Sequence, residues 1–208
     1  MLKTQVFQVG LLQTNCVLLY DTDGEEAVIV DPGRSIARIK AVVDGLGKKV
    51  VAVLITHGHW DHVLDVKKWQ DSGAKVYIHK NDADKISTNW NTKGNPLIQV
   101  EQTDADVLLE DGQIVDVGKM RFKVIHTPGH SSGSCVFIID NVMLAGDTLF
   151  AGGCGRVDFE DGNATDMRNS LNKLYALDGD YRVIPGHGEE TTLSAERANA
   201  PFVLGGLI

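Results

Sequence analysis

The sequence predicts one mixed α/β domain built from open layers of strands and helices. Three observations lead to this prediction. Short runs rich in Val and Ile, such as Val50 to Ile55, are typical of buried strands. Segments with apolar residues at helical spacing lie between some of these runs. Histidines and aspartates follow the ends of four strands, where open α/β folds usually carry their sites. The length of 208 residues suits a single domain over 1–208.

The N-terminal part of the chain predicts an antiparallel meander followed by a βαβ unit. Ser35 can cap a helix in which the apolar positions from Ile36 to Leu46 repeat at helical spacing. After strand Val50 to Ile55, a second amphipathic helix is expected to begin near Asp61. The three β-rich runs of the meander are Val6 to Val9, Cys16 to Tyr20 and Ala27 to Val30.

The rest of the chain predicts seven more strands and two more helices. Asp111-Gly112 is expected to form a hairpin turn, and Thr165 is expected to cap a helix with Met167 and Leu171 facing inward. The polar stretch 81–100 predicts a helix and then a long loop, a candidate lid over a site. The predicted strands are Lys75 to His79, Asp106 to Leu109, Ile114 to Val117, Arg121 to Ile125, Cys135 to Ile139, Val142 to Ala145 and Arg182 to Ile184.

Composition argues for a cytoplasmic protein that binds neither nucleic acid nor membranes. The formal charge is −8, without the basic face that a nucleic-acid partner requires. Cys16, Cys135 and Cys154 show no CxxC spacing, which fits a reducing compartment better than a disulfide framework. The first residues lack the apolar core of a signal peptide, and the apolar stretch Pro201 to Ile208 is too short to span a bilayer.

The segment 56–62 is the most informative stretch of the sequence. It offers three imidazoles and a carboxylate, His57, His59, Asp61 and His62, which are ligands that Zn²⁺, Fe²⁺ and Mn²⁺ accept. Gly58 would let the backbone turn tightly between two of them. A polar loop with surface histidines is the simpler alternative, but four of the residues 57–62 are ligand types in a chain that has seven histidines in all.

Three later segments repeat the pattern of a strand that ends in ligand-type residues. They contain His126 and His130, then Asp147, then His187. Spacing alone leaves the grouping of these ligands open, because residues 57, 59 and 61 of an extended loop all point to one side. His79 lies near no second ligand type in the sequence and is expected to be structural or on the surface.

Taken together, these segments resemble the metallo-β-lactamase superfamily and, within it, the glyoxalase II-like hydrolases. The matching blocks are THGHWDH at 56–62, HTPGHS at 126–131, GDTLF at 146–150 and PGHG at 185–188. The resemblance implies an αββα sandwich, with two facing sheets, helices outside and metals at one edge. The chain matches the short single-domain members, without the C-terminal helical domain that carries basic glutathione-binding residues in glyoxalase II.

The resemblance also implies roles for individual residues. Asp61 and Asp147 would serve catalysis as metal ligands, His126 would lie outside the ligand set in a supporting or packing role, and Arg156 would contact a substrate carboxylate. The implied ligands are His57, His59 and His130 for a first ion, Asp61, His62 and His187 for a second, and Asp147 as a bridge between them.

The implied activity is hydrolysis of a small thioester such as S-D-lactoylglutathione. A hydroxide shared by two divalent ions, zinc first and iron or manganese as alternatives, would attack the carbonyl carbon. One alternative is a persulfide dioxygenase with a single iron held by His57, His130 and Asp147, since Gly155-Arg156 and Asp158-Phe159 also resemble that group. A non-catalytic metal-binding module and covalent catalysis by Cys154 are further alternatives. The oligomeric state is left open.

Overall fold

Two six-stranded sheets form the centre of the protein. The computed structural model describes residues 1–34, 36–88, 90–92 and 98–205. The strands of the first sheet, in spatial order, are β1 (Leu2–Val9), β2 (Thr14–Asp21), β3 (Glu26–Val30), β4 (Lys49–Ile55), β5 (Lys75–His79) and β6 (Val107–Leu109). The strands of the second sheet, in spatial order, are β7 (Ile114–Val117), β8 (Met120–His126), β9 (Cys135–Ile139), β10 (Val142–Gly146), β11 (Arg182–Pro185) and β12 (Thr191–Thr192).

Strand direction differs between the two sheets. In the first sheet β1, β2 and β3 form the predicted antiparallel meander, and β3 to β6 are parallel. In the second sheet neighbours are antiparallel except for the parallel pair β10 and β11. The parallel strands need crossover connections, and the described helices supply several of them. These helices are α1 (Ile36–Gly45), α2 (Trp60–Val63), α3 (Val66–Asp71), α4 (Ala83–Ser87), α5 (Ala164–Tyr175) and α6 (Leu193–Gly205).

Three apolar clusters show how the layers stack. One fills the space between the sheets, with residues such as Leu54 from the first sheet and Phe122 from the second. Another packs α1 and α3 on the outer face of the first sheet, and a third packs Leu171 of α5 on the outer face of the second. Helices therefore cover both outer faces of a sheet pair, and the expected αββα sandwich is confirmed. No helix in the described part of the chain is long and apolar enough to cross a membrane.

Several local predictions were wrong for identifiable reasons. Asp111-Gly112 is not a hairpin turn, because β6 pairs with β5 in one sheet and β7 pairs with β8 in the other, so the chain changes sheets there. Helix α5 is capped by Asn163, whose side chain accepts a hydrogen bond from Asp166 N, rather than by Thr165 inside the helix. The single helix expected after the histidine loop is two short helices, α2 and α3. The sequence reasoning also missed β12 and α6.

The stretch 81–100 is only partly described. It contains helix α4 and two 3₁₀ turns, Lys80–Asp82 and Trp90–Thr92. The expected loop beyond these turns includes residues 93–97, which lie outside the described residues, as does the predicted cap Ser35.

The fold brings four strand ends to one edge of the sandwich. Strand β4 ends at residue 55, directly before the first ligand-bearing segment, and β8, β10 and β11 end at residues 126, 146 and 185, the first residues of the other three segments. Backbone hydrogen bonds hold these ends together, with Cys135 N donating to Thr56 O across the sheets at 2.8 Å and Gly186 N donating to Gly146 O at 2.7 Å. The predicted ligands therefore meet although they are far apart in sequence.

Candidate metal centre

Three buried histidines form the first group of the centre. His57 and His59 follow β4, and His130 comes from the loop after β8. His59 Nδ1 lies 2.8 Å from His130 Nε2, and the His57 ring centroid lies 4.7 Å from that of each of the other two. One potential ligand atom from each residue falls within 4.8 Å of the other two. This first group (His57, His59, His130) has the geometry needed to hold one ion.

A carboxylate and two histidines form the second group. Asp61 and His62 lie on α2, and His187 follows β11. Asp61 Oδ2 lies 3.2 Å from His187 Nε2 and 3.4 Å from His62 Nε2. The His62 side chain is fully buried, whereas 25% of the His187 side chain is exposed. This second group (Asp61, His62, His187) also satisfies the spacing for one ion.

Asp147 lies between the two groups. Its Oδ2 is 3.4 Å from His130 Nε2 of the first group and 3.7 Å from His187 Nε2 of the second. Its Oδ1 is 3.5 Å from His62 Nε2. The structure thus brings all seven predicted ligands into one cluster, with Asp147 where a bridging carboxylate would stand. Their roles as ligands stay predictions.

Buried polar atoms without hydrogen-bond partners indicate that the cluster suits metal ions. Within the described part of the chain, His57 Nε2, His59 Nε2 and Asp147 Oδ1 are buried and have no hydrogen-bond partner. A buried polar atom without a partner costs about 1–3 kcal/mol. Divalent cations bound by nitrogen and carboxylate oxygen would satisfy such atoms, so the donor set fits metal ions.

The outer ring nitrogens of three histidines fix which nitrogen faces the cluster. His62 Nδ1 donates to Asp31 Oδ2 at 3.0 Å, His130 Nδ1 to Arg156 O at 2.8 Å, and His187 Nδ1 to Leu12 O at 3.1 Å. A backbone carbonyl oxygen can only accept, so Nδ1 of His130 and of His187 keeps its hydrogen and Nε2 is left for the cluster. Such oxygen partners are typical behind metal-binding histidines.

Burial makes the first group neutral. It lowers the pKa of His57 well below its usual value, and burial together with the nearby His130 lowers the pKa of His59 to about 2. Burial also lowers the pKa of His130, although the Asp147 carboxylate opposes it. All three rings therefore carry lone pairs at neutral pH, the form that binds a cation.

Carboxylates reverse this effect in the second group. Burial opposes a charge on His62, but Asp61, Asp147 and Asp31 outweigh it and raise the pKa of His62 to about 10. The pKa of His187 is also raised, because the hydrogen bond to Asp61 and the charge of Asp147 exceed the effect of burial. Burial would raise the pKa of Asp61, yet the neighbouring His62 and His187 hold it below its usual value.

Asp31 is a site residue that the sequence reasoning missed. It follows β3 and is 1% exposed. Its carboxylate accepts hydrogen bonds from Thr56 N at 2.8 Å, from Thr56 Oγ1 at 2.6 Å and from His62 Nδ1. Asp31 adopts φ +51, a left-handed conformation that is uncommon for residues other than glycine. The Asp31-Pro32-Gly33 break after a buried strand was the available signal.

A cavity of about 650 Å³ opens in front of the cluster. Its lining includes His59, Asp61, His130, Asp147 and His187 together with the apolar side chains of Leu12, Trp60, Trp90, Phe150 and Phe159. Arg156 also lines the cavity, where its guanidinium donates two hydrogen bonds of 2.8 Å to Asp158 and lies 4.5 Å from the centre of the Phe159 ring. A small molecule held there would contact both groups of ligands.

The remaining candidates have packing roles. His126 stacks on His79 with ring centroids 3.9 Å apart and bonds through Nε2 to Ser132 O at 2.9 Å, in keeping with its expected place outside the ligand cluster. His79 is buried rather than on the surface. Cys154 packs beside the third apolar cluster, and burial raises the pKa of its thiol, which disfavours the thiolate that covalent catalysis needs.

A match to a family model shows which family the chain belongs to. The model described as the metallo-beta-lactamase superfamily matches residues 9–187. The chain belongs to the metallo-β-lactamase superfamily. The resemblance that the four motifs indicated is therefore confirmed. The cluster of histidines and aspartates also fits the divalent metals of a metallo-hydrolase family.

Several relatives match nearly the whole chain. The protein ML0493 of Mycobacterium leprae is 39% identical, with 96% of this chain and 97% of the relative covered. The probable metallo-hydrolase YqgX of Bacillus subtilis is 32% identical, with 98% and 99% covered. The hydroxyacylglutathione hydrolase GloC of Haemophilus influenzae is 31% identical, with 97% and 98% covered.

Several solved structures superpose closely on this chain. The B3 metallo-β-lactamase BLEG-1 gives a TM-score of 0.89 at 31% identity and covers 97% of this chain and 99% of its own. TTHA1623 in a di-iron-bound form gives 0.83 at 30% identity, with 96% and 100% covered. ETHE1 from Myxococcus xanthus gives 0.83 at 27% identity, with 98% and 85% covered.

Proposed function

We propose that this chain is a hydrolase with two metal ions that cleaves a small thioester such as S-D-lactoylglutathione. The observation that carries the proposal is the cluster itself, in which two three-residue groups share Asp147 at the base of an open cavity. The relative named hydroxyacylglutathione hydrolase GloC, which the chain matches over almost its full length, supports the choice of a thioester.

In this proposal the first group would hold one ion, the second group would hold the other, and Asp147 would be available to both. Two such ions would supply a water of lowered pKa as nucleophile and would polarise a carbonyl oxygen. The residues of the chain keep the donors in place. Thr14 Oγ1 donates to Asp61 Oδ2 at 2.8 Å, and Asp31 accepts from His62 Nδ1. A thiolate is a good leaving group, so strong proton donation to the sulfur is not needed.

The cavity walls support a substrate with an apolar portion and one anionic portion. The indole of Trp90 stacks on His59 with ring centroids 5.7 Å apart and forms one wall beside the cluster. Phe159 approaches His59 edge-on from another side at 4.9 Å. Arg156 presents its guanidinium at the cavity edge and could contact a carboxylate of the thiol portion.

The test combines turnover with metal analysis. Purified protein should hydrolyse S-lactoylglutathione, measured as loss of thioester absorbance, and should contain two ions of zinc, or of iron or manganese, per chain. The Asp61→Ala variant removes a carboxylate of the second group and should lose most of this activity and one of the two ions. Full turnover in Asp61→Ala would contradict the assignment of the second group.

A persulfide dioxygenase is the second candidate. The structure of ETHE1 is similar over nearly the whole chain, and His57, His130 and Asp147 lie together as a two-histidine, one-carboxylate set of the kind that binds iron in oxygenases. One iron per chain, together with oxygen uptake when a persulfide is added, would favour this candidate. Two ions per chain and no oxygen uptake would favour the hydrolase.

A further inference from the structure

Asp82 connects the two loops that carry the first group of ligands. Its side chain is fully buried. Asp82 Oδ2 accepts hydrogen bonds from Gly58 N at 2.7 Å and from Ser131 Oγ at 2.8 Å. Asp82 Oδ1 accepts from Gly133 N at 2.7 Å and from Lys85 Nζ at 2.7 Å. Gly58 lies between His57 and His59, and Ser131 directly follows His130, so one carboxylate holds both ligand loops.

Two glycines show how closely these loops pack on Asp82 and Lys85. A Cβ at Gly133 would lie 2.6 Å from Asp82 Cβ, and a Cβ at Gly58 would lie 2.6 Å from Lys85 Cβ. Real Cβ atoms essentially never make such short contacts. Gly58 is not among the positive-φ residues, so this close approach, and not a left-handed backbone, is the reason for glycine there.

Lys85 completes the connection. Its buried ammonium also binds Asp161 Oδ2 at 2.5 Å, and the same oxygen accepts from Ser132 N at 2.9 Å. The ammonium lies 4.9 Å from the centre of the Trp90 ring, which stacks on His59. The cation therefore compensates two carboxylates that both bind the His130 loop, and it contacts the aromatic wall beside His59.

We infer that Asp82, paired with the ammonium of Lys85, is a positioning residue that sets the spacing of the three histidines in the first group. This inference rests on the proposed function, because it assigns an ion to His57, His59 and His130. Asp82 touches neither the cavity nor the ligand rings and acts through the backbone of Gly58 and the loop at 131–133. Asp31, by contrast, serves both groups, because it accepts from His62 Nδ1 and from Thr56 Oγ1, and Thr56 Oγ1 lies 3.1 Å from His57 Nδ1. The hydrogen bonds of Asp82 go to the loops of the first group and to Lys85.

Metal affinity of the Asp82→Asn variant tests the inference. The amide of asparagine matches the carboxylate in shape but lacks its charge. Because both oxygens of Asp82 accept hydrogen bonds, the NH₂ group of the asparagine must face hydrogen-bond donors in place of one of those oxygens. Metal-free protein is titrated with Zn²⁺ in competition with a chromogenic chelator. The affinity for one of the two ions should fall by about 10- to 100-fold, the usual cost of losing a group that orients ligands. The affinity for the other ion should stay close to that of the wild type.

Two control variants separate positioning from a general loss of stability. Asp31→Asn should weaken both ions, because Asp31 binds His62 directly and reaches His57 through Thr56, whereas Asp82→Asn should weaken one ion alone. Titration with Co²⁺ identifies the affected group, because the visible spectrum of the three-histidine group should differ from that of the group containing Asp61. Val43→Ala, in the apolar cluster under α1, should lower the unfolding temperature and leave both affinities unchanged.

Ser131→Ala provides a milder variant if Asp82→Asn does not fold. It removes one of the four contacts of Asp82 and should weaken the same ion by a smaller factor. Unchanged affinities in Ser131→Ala and in folded Asp82→Asn, or equal weakening of both ions, would overturn the inference while the proposed function stands. Wild-type protein that takes up no Zn²⁺ would overturn the proposed function and this inference together.

Discussion

The two halves of the candidate metal centre use similar residues in different environments. The first group consists of three buried imidazoles whose pKa values are lowered by burial. The second group contains a carboxylate, has Asp31 and Asp147 beside it, and raises the pKa of both of its histidines. The same side chain, histidine, is therefore shifted in opposite directions within one cluster. The neighbouring carboxylates, and not burial alone, decide the direction.

The comparison indicates that the two ions would be held differently. The first group offers neutral donors on loops that Asp82 and Lys85 connect. The second group offers a charged donor and is open to solvent at His187. The ion in the second group should therefore respond more strongly to pH and be the easier one to remove.

The largest expected effect comes from the residue that the two groups share. Asp147→Asn keeps the shape of the side chain but removes the charge that contacts both groups. Thioester hydrolysis should fall by more than about a hundredfold, the upper cost of losing a residue that merely orients a ligand. Metal analysis should show weaker binding of both ions. Loss of one ion alone would mean that Asp147 belongs to a single group.

The next effect is a difference in pH dependence between the two ions. At neutral pH the His62 ring of the metal-free protein is protonated, since its pKa is raised to about 10, so binding at the second group must displace a proton. The apparent affinity there should fall about tenfold for each pH unit of acidification. The first group, with its lowered pKa values, is already unprotonated, and its affinity should stay flat between about pH 8 and about pH 6.

Zn²⁺ titrations of the metal-free protein at several pH values measure this difference, after correction for protonation of the competing chelator. His62→Gln removes the proton that is displaced, so the steep dependence should become shallower in that variant. Equal slopes for both ions in the wild-type protein would show that the two groups do not differ in charge as the comparison requires.

The contrast also shows which parts of the site the sequence could predict. The seven residues of the cluster could be singled out from the sequence because each lies in a short motif at the end of a strand. Asp31 and Asp82 could not, since their partners are distant in sequence: Asp31 contacts Thr56 25 residues away, and Asp82 contacts Ser131 49 residues away. A buried carboxylate looks like any surface acid until the fold brings its donors to it.

The fold, like the site, could be predicted from the sequence only in part. Runs of Val and Ile identified most strands, and the resemblance supplied the sandwich. Strand pairing was harder to predict. Apolar and polar residues alternate in the same way on either side of Asp111-Gly112 whether the two strands form a hairpin or lie in different sheets. The cap of α5 failed for a local reason, since Asn163 and Thr165 are both good capping residues and two positions separate them.

The smallest expected effect concerns the cavity wall, which both groups share. Arg156 and Asp158 are paired and mostly exposed, with 64% and 65% of their side chains accessible. Asp158→Asn should free the guanidinium and lower KM for S-lactoylglutathione by less than about fivefold, because exposed ion pairs are weak. Arg156→Gln should raise the same KM. Neither variant should change kcat or metal content, since neither residue belongs to a ligand group.

A thioester without carboxylates provides the control for this last prediction. Its KM should be unaffected by either variant if Arg156 acts through its charge. The guanidinium also lies against the ring of Phe159, which is itself close to His59. A KM that rises equally for charged and uncharged thioesters in Arg156→Gln would therefore show that Arg156 supports the aromatic wall. Such a result would leave the difference between the two ligand groups intact and would move substrate recognition to the apolar side of the cavity.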